Sequence, residues 1–148
     1  YAWSYRGMNP HFRLVVVCDD DVIAAELPDI LQEAHSGAAA IKMQPSDWDG
    51  LERKQVKLWM EEKSAAVIEA ENTSTFKIES LTNNFRNRQR SLEQKMLDTT
   101  SESIRRMYNS ELESAMESYE AKVDSIRQKV AQTDIHTTLI ANGILEVV

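Results

Sequence analysis

Residues 101–132, SESIRRMYNSELESAMESYEAKVDSIRQKVAQ, decide the fold. Leu112, Met116, Tyr119, Val123, Ile126 and Val130 alternate four and three apart, the seam of a heptad helix. Ile104 and Tyr108 prolong the seam at spacing four, a local change of winding. A second stripe lies just upstream: Ile78, Leu81, Phe85, Leu92 and Met96, with Arg88 at the intervening position. Between the stripes, Asp98-Thr99-Thr100-Ser101 gathers residues that are weak inside helices and strong at their caps, and Thr99 with Glu102 has capping-box spacing. Two stripes joined by so short a turn predict an antiparallel helical hairpin with its turn near 98–101. The competing arrangement is a globular bundle in which both stripes face one core.

Upstream, the helical composition begins after Gln44-Pro45-Ser46-Asp47. From Asp47 to Gln132 there is one glycine, Gly50, and no proline. Ser46 or Asp47 is the expected N-cap. One straight helix of about 85 residues would exceed about 120 Å at ~1.5 Å per residue, which again argues for a turn. The weak stretch Asn72-Thr73-Ser74-Thr75 predicts a kink or break. Residues 47–71 would then pack on a base through Trp48, Leu51, Leu58, Trp59 and Ile68, and residues 76–98 would form the outgoing arm.

The β signals sit at the two ends. His11 to Cys18 (HFRLVVVC), bounded by Pro10 and Asp19, reads as a strand. Asp19-Asp20-Asp21 suits a turn, and Val22 to Glu26 could return as a second strand. Pro28 is placed to open a helix running to about Ala34, with Gly37 beyond it. Ala39 to Met43 is ambiguous between a short strand and none. Asp134 to Val148 is β-like, with Ile135, Thr137, Leu139 and Ala141 on one face. Asn142-Gly143 is either a tight hairpin turn or a bulge. A hairpin arm returns the chain to where it left, so the last strand can pair with the first. The expectation is an α+β fold. A small, mostly antiparallel sheet built from N- and C-terminal strands (residues 1–46 and 134–148) carries a long, coiled-coil-like helical hairpin (residues 47–133).

Composition narrows the function. The 148 residues are 42% hydrophobic and 28% charged, enough apolar matter for a core. Four scattered glycines, at 7, 37, 50 and 143, leave no phosphate loop, no GxGxxG and no GxSxG, and HExxH is also missing. No catalytic residue and no cofactor is therefore expected within this chain. A single cysteine excludes an intrachain disulfide and fits a reducing, cytoplasmic setting. The longest apolar run, Leu14 to Cys18, is far short of the roughly 20 residues that cross a bilayer, so no membrane partner is expected. The chain opens on YAWSYRG rather than Met and reads as a piece of a longer protein.

Isolated reactive groups have bland readings beside the functional ones. Cys18 reads as a structural cysteine, since a nucleophile would need one of His11, His35 or His136 beside it. Asp19-Asp20-Asp21 reads as a solvated turn, because consecutive carboxylates diverge, and no metal site is expected there. Glu61, Glu62, Glu69, Glu71 and Glu79 lack the Glu-x-x-His pairing of a di-metal bundle. Trp3, Trp48, Trp59, Tyr1, Tyr5 and Phe12 form either a core or a platform for stacking bases.

Charge carries one signal. The net charge is −7, yet residues 86–106 hold six basic side chains (Arg86, Arg88, Arg90, Lys95, Arg105 and Arg106) against three acidic ones. These six are the candidate contacts for nucleic acid or for an acidic partner surface. Arg86, Arg88 and Arg90 are two apart and cannot all share one helix face. The bland reading is a solvated helix end. Self-association through the helices is the other role open to the chain.

Three stretches together suggest a family: NNFRNRQRSLE (83–93), SIRRMYNSELESAMESYEAKVDSIRQK (103–129) and TDIHTTLIANGILEVV (133–148). This half of the chain resembles the C-terminal accessory region of bacterial Swi/Snf-type, superfamily-two helicase-like ATPases. The resemblance implies a non-catalytic, helicase-associated appendage that helps a DNA-dependent motor engage its track or partner. It also implies that ATP and Mg belong to RecA-like lobes elsewhere in a parent protein, the rest of which would be the nearest partner.

Overall fold

The computed structural model describes residues 1–33, 37, 42 and 44–144. Along the chain run β1 (Ala2–Arg6), β2 (His11–Leu14), α1 (Asp21–Glu33), α2 (Pro45–Asp98), α3 (Glu102–Ala131) and β3 (Asp134–Thr138). The fold is α+β, with one antiparallel sheet in the order β2-β1-β3. The chain forms two compact units. One is the base (residues 1–6, 10–66 and 134–144 of those described). The other is the arm (residues 7–9 and 67–133).

The base is built on strand alternation. Trp3 and Tyr5 on β1 face inward, and their register partners on β3, Thr137 and Ile135, share that face. Ile135 is 1% exposed, the deepest side chain of the base. The first half of α2 lies over this face through Gln55, Trp59, Glu62 and Ala66, whose spacing of four, three and four is one helix stripe. Each polar member of that stripe is bonded to the sheet. Gln55, 2% exposed, donates to Thr137 Oγ1 at 2.9 Å. The Trp59 indole donates to the Ile135 carbonyl at 2.7 Å, and Tyr5 OH donates to Glu62 at 2.9 Å. Polar groups buried with partners keep the helix in one register on the sheet, where a purely greasy stripe could slide. Of the five residues expected to pack here, Trp59 does so and Trp48 and Leu51 are half-buried. Leu58 and Ile68 are 39% and 56% exposed and lie off the stripe.

Four expectations for the N-terminal part need correction. The strand expected over His11–Cys18 ends at Leu14. β1 is a strand that the reading from His11 onward passed over. Val22 to Glu26 is not a strand but the start of α1: the Asp20 carboxylate accepts from the Val22 and Ile23 amides at 2.8 and 3.4 Å, so the acidic triplet caps a helix rather than turning a hairpin. Pro28 consequently lies inside α1 rather than at its first position, at the cost of one helical N–H bond. β3 ends at Thr138, so the expected continuation of the strand through Leu139 and Ala141 to Asn142-Gly143 is also corrected: residues 139–144 are irregular and exposed. The expected helix end at Ala34, His35, most of Ala39–Met43 and the expected β residues from Leu145 lie outside the described residues.

The expected kink near Asn72–Thr75 is also corrected. α2 is continuous for 54 residues, about 80 Å at ~1.5 Å per residue. Ser74 and Thr75 hydroxyls donate back to the Glu71 carbonyl at 2.8 and 3.0 Å, which absorbs their polarity within the helix. Its N-cap is neither Ser46 nor Asp47. Pro45 takes the first helical position, and Asp47 reaches back to accept from the Gln44 amide at 3.0 Å.

Within the arm, α2 from Val67 and α3 pair antiparallel. Thr82 and Phe85 meet Tyr119, with a 2.9 Å hydroxyl contact and rings stacked at 4.9 Å. Arg88 meets Glu111, and Lys95 lies over the Tyr108 ring. The seam buries Ala70, Leu92, Ala115 and Val123. Here Ala115 replaces the expected Met116, which is 51% exposed, and Ile104 is 42% exposed. The cap of α3 is Ser101, which accepts from the Ile104 amide, rather than Thr99. The unit also holds Gly7 at φ +103°, where an added Cβ would stand 2.7 Å from the Lys129 carbonyl and 2.8 Å from Thr133 Cα. Only glycine fits there.

Candidate functional site

The six basic residues read from the sequence fall on the distal half of the hairpin but are not gathered into one patch. Arg88 is held at 3.0 Å by Glu111, and Arg106 is paired with Glu102 one turn earlier. Arg105 donates to the Thr99 carbonyl at 3.0 Å, and Lys95 sits 5.8 Å from the Tyr108 ring centre. Arg86 and Arg90, four residues apart, share one exposed flank of α2, while Arg88 and Lys95 fall on the other. Folding also returns acidic residues to the same place. Residues 86–106 carry +3, but residues 86–116, which lie together in the hairpin, include Glu111 and Glu113 and carry +1.

The closed end of the hairpin has a second character. Leu97 is 79% exposed, Met107 55% and Ile104 42%. Beside them a shallow depression is lined by Glu93, Met96, Leu97 and Arg105. Leu97 and Met107 lie off both stripes, and Ile104, at the end of its stripe, stays 42% exposed, so the hairpin's own packing does not account for them. The sequence signal was present in those off-stripe positions, but a charge map does not see it.

The remaining candidates are occupied structurally. Trp3 and Tyr5 are buried and Trp59 is bonded, so they form the core of the base rather than a stacking platform. Phe12, 75% exposed, is on the opposite face. Cys18 is half-buried and donates to the Asp20 carbonyl, and its own carbonyl accepts from Lys54 at 2.8 Å. Among the described residues, no three His, Cys, Asp or Glu side chains stand close enough to hold a metal ion. Among the same residues, no helix is long and apolar enough to cross a membrane.

Among the described residues three titrations are perturbed, all in the base. Burial, then the Glu62 carboxylate, push the Tyr5 phenol above its ordinary value. The Lys63 ammonium, 2.6 Å from Asp134, holds that carboxyl below the usual range. The hydrogen bond to Asp21 raises Lys54. Each is explained by burial or by a structural partner. Comparison with family models, with curated proteins and with solved structures finds no match.

Proposed function

We propose that this chain is a non-catalytic accessory domain whose helical arm is its contact element, docking by its apolar apex on a protein surface of a larger helicase-like assembly. The observation that carries this reading is the clustering of three exposed apolar side chains, Leu97, Ile104 and Met107, at the closed end of the hairpin. A packed hairpin holds such side chains in fixed positions, and exposed apolar clusters rimmed by charge mark protein contacts. Arg105, Lys95 and Arg106 supply the polar rim. The resemblance in residues 83–93, 103–129 and 133–148 supplies the helicase-like parent.

The test is thiol labelling of Leu97→Cys in a Cys18→Ser background, in this chain alone and in the longer helicase-like protein that this reading implies. Docking predicts at least tenfold slower labelling in the longer protein, restored by Met107→Glu. Equal rates in both would overturn the reading.

A second reading, contact with nucleic acid, is favoured by one observation: Arg86 and Arg90 form an exposed i,i+4 pair with no acidic partner among the described residues. Two phosphate contacts would give a slope of about −2 in log K against log salt on duplex DNA. Anisotropy with labelled DNA at roughly 50–200 mM salt measures it, and Arg86→Glu/Arg90→Glu should abolish it.

A further inference from the structure

The side of the sheet away from α2 and the open edge of β2 present one continuous feature. Tyr1 and Val15 exchange both backbone bonds at 2.9 Å, which sets the parity of the β1–β2 ladder. Hydrogen-bonded pairs recur every second residue, so Arg13 and His11 also bond inward, to Trp3 and Tyr5. The amides and carbonyls of Phe12, Leu14 and Val16 therefore point away from β1, and no described residue bonds them. Their side chains share that openness, at 75%, 66% and 48% exposure. A bare edge with aligned apolar side chains is what sheet proteins otherwise block with charge, proline or a bulge.

We propose that this edge pairs with the β2 edge of a second copy of the chain, antiparallel, about a two-fold axis at Leu14. This register sets Leu14 on Leu14 and Phe12 on Val16 of the second copy, so all three open residues bond across the seam and all apolar side chains fall on one face. A register centred on Phe12 would bring Pro10, which has no N–H, opposite Leu14 and lose a bond. Charge supports the same choice. Residues 1–18 contain Arg6 and Arg13 and no acidic side chain, and Asp19-Asp20-Asp21 follows; Asp20 caps α1 and Asp21 pairs with Lys54, which leaves Asp19 to meet a second copy. Antiparallel pairing lays the Asp19 end of one copy along the Arg6 end of the other, whereas parallel pairing would set like against like. Arg13 faces Val15, not Arg13, across the axis.

Cross-linking in a Cys18→Ser background tests the register. A hydrogen-bonded antiparallel pair has its Cα atoms about 5.5 Å apart, within disulfide reach. Leu14→Cys should therefore oxidise to a covalent dimer. Phe12→Cys should not, because the two copies of residue 12 are offset by four residues, roughly 14 Å at ~3.4 Å per residue. Sedimentation should show a mass that rises toward twice the monomer with concentration. Leu14→Lys, which sets two ammonium groups across the axis on an already exposed site, should weaken the dimer at least tenfold, with the thermal transition unchanged at concentrations where both chains are monomeric. A monomer at all concentrations up to about 1 mM, the weak limit of specific association, would overturn the proposal. So would equal cross-linking at 12 and 14, or a dimer indifferent to Leu14→Lys.

Discussion

Replacement of Ile135 in steps tests how the base is held. Ile135 is 1% exposed and lies in β3 opposite Tyr5, with the Trp59 indole bonded to its carbonyl. Ile135→Val removes one methylene and keeps the β-branch. Ile135→Ala removes three carbons at about 0.8 kcal/mol each, about 2.4 kcal/mol of transfer free energy. The cavity adds to this, because Trp3, Tyr5 and Trp59 are anchored by strand register or hydrogen bonds and close over it only in part. The expected costs are about 1 kcal/mol for Val and about 3–4 kcal/mol for Ala. Urea unfolding followed by tryptophan fluorescence reports the base directly, since Trp3 and Trp59 both lie in it. Far-ultraviolet dichroism reports the helices in parallel. A cost below about 1 kcal/mol for Ala, or equal costs for the two variants, would mean that the sheet face is not the core and that α2 is held by its polar bonds alone.

Further expectations follow from single sites. Gly7→Ala should destabilise by more than about 2 kcal/mol, since the new methyl meets backbone on two sides at a positive φ; thermal melting measures it, and an unchanged midpoint would refute the close approach to Lys129. In the arm, Ala115→Leu should cost about 1–3 kcal/mol through overpacking while Met116→Ala stays within about 0.5 kcal/mol; the reverse order in chemical denaturation would restore Met116 to the seam. For Tyr5, the folded phenol titrates above the unfolded value of 10.0, so its contribution is complete below pH 10 and is lost as pH rises through the folded value. Tyr5→Phe should flatten that alkaline limb in urea midpoints. For Asp134, the folded value lies below 3.8, so its contribution is present above that pH and is lost on acidification; at half exposure the pair with Lys63 is worth at most about 1 kcal/mol, and Asp134→Asn should shift the melting midpoint by no more than that amount implies.

Much of this architecture was legible in the residues. The heptad stripe from Leu112 to Val130, the upstream stripe from Ile78 to Met96 and the turn at residues 98–101 all carry local periodicity, and the returning strand follows from where a hairpin must end. What escaped has physical reasons. β1 is short and alternates aromatic with small or charged residues, so its signal was absorbed into a list of aromatic side chains. The start of α1 was hidden because an aspartate run serves turns and caps equally well, and Val22-Ile23 favours strands in isolation. Ser74 and Thr75 looked like helix breakers because their preference for non-helical partners is intrinsic, whereas a bond to the Glu71 carbonyl removes it. Ala115 was passed over because a hydrophobicity pattern favours the larger Met116, whereas close helix packing favours the smaller side chain. Gln55 could not be found by periodicity at all, since a buried amide is recognisable only once Thr137 stands opposite it.

The same distinction governs the choice between the functional readings. Charge counted along a chain measures neighbours in sequence, but a phosphate backbone meets neighbours in space. In an antiparallel hairpin each segment lies beside the segment equidistant from the turn, so Arg88 comes to Glu111 and the run 86–106 inherits the charges of residues 107–116. A run of +3 thereby becomes a surface of +1, and two of its six cations, Arg88 and Arg106, have carboxylate partners. Such exposed pairs are individually weak, so a strong anion could still compete for the arginines. It would meet only a small local potential, however, against an overall charge of −7 that opposes its approach. Apolar exposure suffers no such cancellation: folding buries the seam residues and leaves Leu97 and Met107 outside it. The apex is for that reason the more probative site, and loss of docking on Met107→Glu with DNA binding absent throughout is the outcome that separates a protein-contacting arm from a track-contacting one.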